Sequence, residues 1–336
     1  MKACVLRKQA PIETNPLDYC EVPTPDPGPG QVLVKVKVCG ICRTDLHVVE
    51  GDLPPQRMPV IPGHQIVGVV ERVGPGVSAV AAGERVGVAW LHQSCGACRF
   101  CKSQRENLCE DPRFTGYTED GGFAEYAVAP ADFVYPLPEG FDDLQAAPLL
   151  CAGIIGYRAL QQTGVSDFRD KRLGIYGFGA AGHVVIQLAR ARGAKVYVIT
   201  RDVERHQKLA DELGAFWTGG LDERPPAPLD AAIIFAPAGE LIPKALAALD
   251  RGGTLSLGGI YMSPTPPIDY DLLYQERRVI SVANNTRDDG RNFLGEAVQI
   301  PVHTHIETFP LKDANRALYA LKNKAIAGCG VLVVEE

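Results

Sequence analysis

The apolar positions of this chain change rhythm near residue 150. Before it they come in short runs cut by glycine and proline: QVLVKVKVCGIC from Gln31, VIPGHQIVGVVERVGPGV from Val60, GERVGVAWL from Gly83 and FAEYAVAPADFVYPLPEG from Phe123. Each run is long enough for one or two strands and each break supplies a turn, which predicts a compact, largely antiparallel β domain. Beyond it, the apolar runs RLGIYGFG (172–179), KVYVITR (195–201), LDAAIIFAP (229–237) and GTLSLGGI (253–260) are separated by helical stretches such as HVVIQLARARG and VERHQKLADELG. Strands alternating with helices predict a parallel, doubly wound sheet covered on both faces. After RRVISVAN (277–284) come a helix-like FLGEAVQ, a strand-like HIETFPL, the helix DANRALYALKNK and a final CGVLVVEE, a tail assigned to the first domain. The expected organisation is therefore α/β plus a β-rich domain, with 1–152 and 286–336 in one domain and 153–285 in the other. The stretch ERPPAPLD (223–230) is expected to be a surface turn, and no internal repeat is found.

Length agrees with two domains, since 336 residues exceed what one hydrophobic core usually organises. With 46% apolar and 22% charged residues the chain is expected to fold fully. A net charge of -6 argues against a broad phosphate-binding surface, so a nucleic-acid partner is not expected. No apolar run reaches membrane-span length, and MKACVLRKQAP lacks the features of a secretory signal. The expectation is a cytoplasmic protein without a membrane partner, and in a reducing compartment closely spaced cysteines point to metal before disulfides.

Four of the ten cysteines, Cys95, Cys98, Cys101 and Cys109, have the spacing C-x2-C-x2-C-x7-C, in a lobe at about 92–112. Four thiolates this close can surround one tetrahedral Zn²⁺ with no open position, which makes the site structural. A ferredoxin cluster would need a shorter final gap followed by proline, and here Glu110 follows the last cysteine. Cys42, His64 and Cys151 are each unremarkable alone, since a single buried Cys or His is usually a packed core residue. Together they make an incomplete tetrahedron of the kind that holds catalytic zinc. GFGAAG (177–182) fits G-x-G-x-x-G between a strand and a helix. Gly177 permits the tight turn, Gly179 lets the backbone approach a pyrophosphate, and Gly182 allows close helix packing.

The segments GICRTDLH, GHQIVGVVERVG, the four-cysteine lobe, CAG and GFGAAG occur in an order that resembles the zinc-dependent medium-chain alcohol dehydrogenases over essentially the whole chain. The resemblance implies a GroES-like catalytic domain with a Rossmann nucleotide-binding domain, and two Zn²⁺ per chain. Cys42, His64 and Cys151 would be the catalytic ligands, and Cys95, Cys98, Cys101 and Cys109 the structural set. It implies Thr44 and His47 as a proton relay and Asp45 as the group orienting His64. Leu53 and Trp90 would line an apolar pocket for a primary aliphatic or aromatic alcohol or aldehyde, and the assembly would be a homodimer or homotetramer. At the family's acidic position after the second nucleotide-domain strand stands Thr200, followed by Arg201, a pairing that suits a 2′-phosphate; NADP(H) is favoured over NAD(H), with Asp202 the residue that would serve NAD. Two positions depart from the family pattern. Gln65 replaces the usual Glu after the zinc-binding His, and Cys329 stands near where many members have an Arg for the cofactor pyrophosphate. The alternatives carried forward are a catalytically silent nucleotide-binding relative and a polyol or secondary-alcohol dehydrogenase; a nucleic-acid zinc finger is disfavoured by the acidic charge and the dinucleotide loop.

Overall fold

The computed structural model describes residues 1–326 and 328–334. The chain opens with β1 (Lys2–Leu6) and β2 (Leu17–Glu21), an antiparallel ribbon. It continues through β3 (Gln31–Ile41), helix α1 (Arg43–Glu50), β4 (Gln65–Val73), β5 (Arg85–Val88) and β6 (Leu91–Gln93). A short helix α2 (Arg99–Lys102) lies in the cysteine lobe, and β7 (Arg113–Phe114) closes the lobe by pairing with β6. Then come β8 (Tyr126–Pro130), β9 (Val134–Pro136) and α3 (Asp143–Pro148). A second stretch holds α4 (Ile154–Gln162), β10 (Arg172–Tyr176), α5 (Ala180–Ala191), β11 (Lys195–Ile199), α6 (Lys208–Glu212) and β12 (Trp217–Gly219). It ends with β13 (Leu229–Ile234), α7 (Leu241–Ala248), β14 (Leu249–Leu257), α8 (Tyr270–Leu273) and β15 (Arg278–Ser281). The tail adds α9 (Arg287–Gln299), β16 (Ile306–Pro310), α10 (Ala314–Lys322) and β17 (Cys329–Val333).

Packing divides the chain into two units: Met1–Cys151 with Asn284–Val298 and His303–Glu336, and Ala152–Ala283 with Gln299–Val302. In the first, a sheet runs β16-β17-β3-β4-β5-β9, with β8 also on β3. β3 is its spine, and its valines Val32, Val34, Val36 and Val38 are buried in the core. Its first half pairs with β8 and its last four residues with β17, which brings the C-terminal tail onto the N-terminal domain. In the second unit a six-stranded sheet runs β12-β11-β10-β13-β14-β15, parallel at every pair. Its central strands are buried almost without interruption, as in Ala231, Ala232, Ile233 and Ile234, because helices cover both faces. The ribbon β1–β2 and the three-residue β12 have no signature in the apolar rhythm, and Leu229 and Asp230, where the expected turn and the expected apolar run LDAAIIFAP overlap, open β13. Among the described residues no helix is long and apolar enough to cross a membrane.

Candidate active site

Strand register brings the first two ligand positions together. β3 ends one residue before Cys42, β4 begins one residue after His64, and Gly40 lies opposite Gln65 in the antiparallel pair. Continuing that register by one residue sets Ile41 against His64, so adjacent strand ends carry both side chains. Cys151 arrives by a different route. Pro148 closes α3, and its missing N–H interrupts the helical ladder. The next residues, Leu149–Gly153, form a single turn of π-helix with Cys151 at its middle, a widened turn of the kind often found at functional sites.

The Cys42 sulfur lies 3.4 Å from His64 Nε2 and 4.0 Å from the Cys151 sulfur. Zinc bonds in a tetrahedron require separations of about 3.6 Å for sulfur to nitrogen and about 3.8 Å for sulfur to sulfur. The three donors therefore fit one zinc ion, with a corner left open. Behind them, Asp45 Oδ1 accepts from His64 Nδ1 at 2.8 Å, and Oδ2 accepts from the Cys42 backbone N–H at 2.9 Å. One carboxylate thus caps α1 and fixes the tautomer that leaves His64 Nε2 free to bind metal. His64 and Asp45 are almost wholly buried, and burial pushes the Asp45 carboxyl above its ordinary range. The Cys42 thiol is held well below its own range because it accepts from the Cys151 thiol, faces His64 and receives the Thr44 N–H at 3.3 Å. Gln65 is buried beside His64, with its Oε1 side against Gly40 and its Nε2 without a protein partner. The amide brings no charge to the donor set.

Thr44 is buried in the first turn of α1, and His47 stands one turn further on. His47 Nδ1 lies 2.7 Å from Asp52 Oδ2. Asp52 was not anticipated from the sequence. Five positions apart on a helix would not face each other, but Gly51, at φ +90°, reverses the chain so that Asp52 folds back over His47. Gln9 holds this turn by donating to the carbonyls of Val48 and Leu53, both at 2.8 Å. Leu53 is partly buried against the core. Trp90 meets His64 edge-to-face at 5.1 Å between centroids and stacks on Phe114 and Tyr117 at 5.0 and 5.9 Å. A cavity of about 310 Å³ in this unit, lined by Val22, Pro59, Ile61, His92 and Tyr126 among others, contains none of these donors.

In the lobe, the sulfurs of Cys95 and Cys101 are 3.9 Å apart and those of Cys98 and Cys101 3.5 Å, and all four ligand atoms lie within 4.8 Å of one another. Backbone N–H groups point at the sulfurs: Cys98 at Cys95, Cys101 at Cys98, and Cys95 and Asp111 at Cys109. The Cys101 N–H holds the Cys98 thiol down at about 6. This donor set also fits zinc, with no open corner.

In the second unit Gly177 adopts φ +86°, and a side chain there would run into Ala236 at 2.8 Å. Gly179 caps α5, and a side chain on it would meet nothing within 4 Å. That open backbone, at a helix N-terminus with free N–H groups, fits a dinucleotide pyrophosphate. Gly182 sits in the first turn of α5, close against the carbonyl of Gly177. After β11, Thr200 is buried with its hydroxyl 3.5 Å from His206 Nδ1, while Arg201 is exposed. Asp202 Oδ1 accepts the Arg205 N–H at 3.0 Å, so the carboxylate caps the following turn. Cys329 is buried at the start of β17 and carries no charge toward a phosphate; burial pushes its thiol up to about 12.

Comparison with known proteins gives the same parts. Residues 28–139 match the model of the alcohol dehydrogenase GroES-like domain, and 180–299 that of the zinc-binding dehydrogenase. A probable alcohol dehydrogenase, AdhA, of Mycobacterium tuberculosis is 48% identical over 99% of this chain and 97% of its own. Among solved structures, an acetophenone reductase from Geotrichum candidum in complex with NAD is 27% identical at a TM-score of 0.86, covering 99% of this chain and 97% of that one. A zinc-binding dehydrogenase from Sinorhizobium meliloti bound to NADP is 28% identical at a TM-score of 0.85, covering 99% and 98%.

Proposed function

The chain belongs to the zinc-dependent medium-chain alcohol dehydrogenases, and we propose that it interconverts primary aliphatic or aromatic alcohols and aldehydes, with NADP(H) in preference to NAD(H). The observation that carries the chemistry is the three-donor set of Cys42, His64 and Cys151 with Asp45 locked behind it. A zinc ion held there supplies a Lewis acid that polarises the substrate oxygen and eases loss of its proton. Thr44, held beside the donor set by its N–H on the Cys42 sulfur, takes that proton from the substrate side as its hydroxyl passes its own on toward His47. His47 exchanges it with water. Asp52, on Nδ1, leaves Nε2 as the nitrogen that does so and fixes the orientation of the ring. The apolar surface of Trp90, stacked with Phe114 and Tyr117, supports an aliphatic or aromatic substrate over a polyol.

The preference for NADP(H) is supported by an exposed Arg201 beside an Asp202 already engaged in capping. The lobe cysteines support a second, structural zinc. The reading includes a homo-oligomer, dimer or tetramer: β15 lies at the edge of its sheet with Val279 and Ile280 39% and 38% exposed, and a second copy would continue the ladder. Ten free cysteines, six of them in metal-type clusters, support a reducing, cytoplasmic setting. The deciding experiment measures initial rates of reduction of an aliphatic aldehyde, an aromatic aldehyde and acetophenone, with NADPH and NADH at equal concentration. Faster turnover of the aldehydes with NADPH is expected. A preference for acetophenone would make this a secondary-alcohol enzyme, a preference for NADH would transfer the ribose role to Asp202, and no turnover with two zincs bound would make it a silent relative.

A further inference from the structure

Between the third and fourth cysteines of the lobe lies a carboxylate that serves no lobe ligand. Glu106 has a side chain only 7% exposed, and its partner comes from 181 residues away. Its Oε1 accepts the Arg287 backbone N–H at 2.9 Å and the Arg287 Nε at 3.2 Å. Arg287 opens α9, three residues after the chain re-enters the first unit at Asn284. Its guanidinium also lies 4.8 Å over the Phe133 ring, and Asn285 two residues earlier donates to Tyr135 Oη at 3.3 Å. Burial works to raise the Glu106 carboxyl, and the Arg287 donors outweigh it, so the group stays below its ordinary range. Removing Arg287 would leave the Glu106 carboxylate buried and uncompensated. At the lobe end the connection is equally short. The Cys109 N–H donates to the Glu106 carbonyl at 3.0 Å, and the Cys109 sulfur receives the N–H groups of Cys95 and Asp111.

We propose that the lobe is a metal-dependent clasp: metal bound by its four cysteines fixes Glu106, and Glu106 through Arg287 holds the segment 284–291 by which the chain returns to its first unit. The inference rests on the reading of the lobe as a zinc site. Coupling of this kind is reciprocal: if lobe metal tightens the segment, a loosened segment holds lobe metal more weakly, and removing Arg287 cuts the link in both directions.

The test uses the full-length, zinc-replete protein. Metal per chain is counted, a chelator is added, and pulsed alkylation with mass spectrometry follows Cys95, Cys98, Cys101 and Cys109 separately from Cys42 and Cys151. Arg287→Ala is expected to expose the lobe cysteines about tenfold faster than wild type, and Glu106→Gln by an intermediate factor. Arg291→Ala, in the same helix but paired with exposed Asp288, should match wild type. Hydrogen exchange of 284–291 should rise when lobe metal is removed. Should Arg287→Ala fail to fold, Arg287→Lys, which keeps the charge and loses the Nε contact, takes its place with a smaller acceleration expected. Two zincs per chain with lobe alkylation unchanged by the Arg287 and Glu106 variants, or accelerated equally by Arg291→Ala, would overturn the clasp alone. Immediate alkylation of the lobe in a wild-type chain carrying fewer than two zincs would remove the zinc reading and the clasp together.

Discussion

The two cysteine clusters of the first unit are built from the same donor chemistry and differ in almost everything else. The lobe gathers four thiols within fifteen residues, Cys95 to Cys109, and its backbone N–H groups turn toward the sulfurs without help from distant segments. Cys42, His64 and Cys151 come from three segments that only strand register and a π-helical turn bring together, and a buried carboxylate stands behind them. A short loop can complete a tetrahedron by itself, which produces a closed and structural site. Leaving one corner open requires a fold that supplies three donors and withholds the fourth.

The comparison breaks if the two sites fail in the same way. Cys98→Ser should lower stability by more than about 4 kcal/mol, since zinc binding to small structural sites contributes roughly 10 kcal/mol or more. Cys151→Ser, which leaves the His64–Asp45 pair in place, should instead reduce turnover on the order of a thousandfold, lose one zinc per chain and leave the melting temperature close to wild type. Metal analysis and calorimetry on both variants measure the contrast, and a similar loss of stability from each would end it.

Acid should act on the lobe side through His92 in β6, the strand that frames it. Burial lowers the His92 pKa to about 4, from an ordinary value of about 6.5 in the unfolded chain. Between those values the unfolded state binds more protons, so stability rises with pH across the window and is lost as pH falls through it, by about 3 kcal/mol in full. Urea unfolding from pH 4 to 7 should show this slope, and His92→Gln should flatten it.

Smaller effects sharpen the catalytic side. Asp45→Asn should weaken zinc at the open site by roughly 10- to 100-fold, because the His64 tautomer is no longer held by a charge, while chelator release from the lobe stays at its wild-type rate. Smaller still, Arg201→Ala should raise the KM for NADPH about tenfold with little change for NADH, a loss of about 1.4 kcal/mol for one charge-assisted contact.

What the sequence disclosed follows the same division. The lobe spacing, the glycine loop and the change in apolar rhythm are local patterns, and local patterns survive in one dimension. Asp52 was invisible because its approach to His47 depends on a left-handed Gly51, and no spacing rule pairs positions five apart. The stack of Phe114 and Tyr117 on Trp90 was missed because β7, which presents Phe114, is two residues long. The engagement of Asp202 as a cap likewise appears only once the following turn has a shape. The ribbon β1–β2 and strand β12 are set by pairing partners rather than by composition.

Cys151 is the last residue of the first unit's opening stretch, and Asn284 the residue at which the chain rejoins that unit. Every thiol and imidazole assigned to metal therefore lies outside the inserted stretch 152–283, while the whole glycine loop and Arg201 lie inside it. For protein engineering this makes the two seams natural splice points. An insert from a relative of known coenzyme habit, joined after Cys151 and before Asn284, would exchange the glycine loop and Arg201 while keeping the identity of every candidate metal ligand.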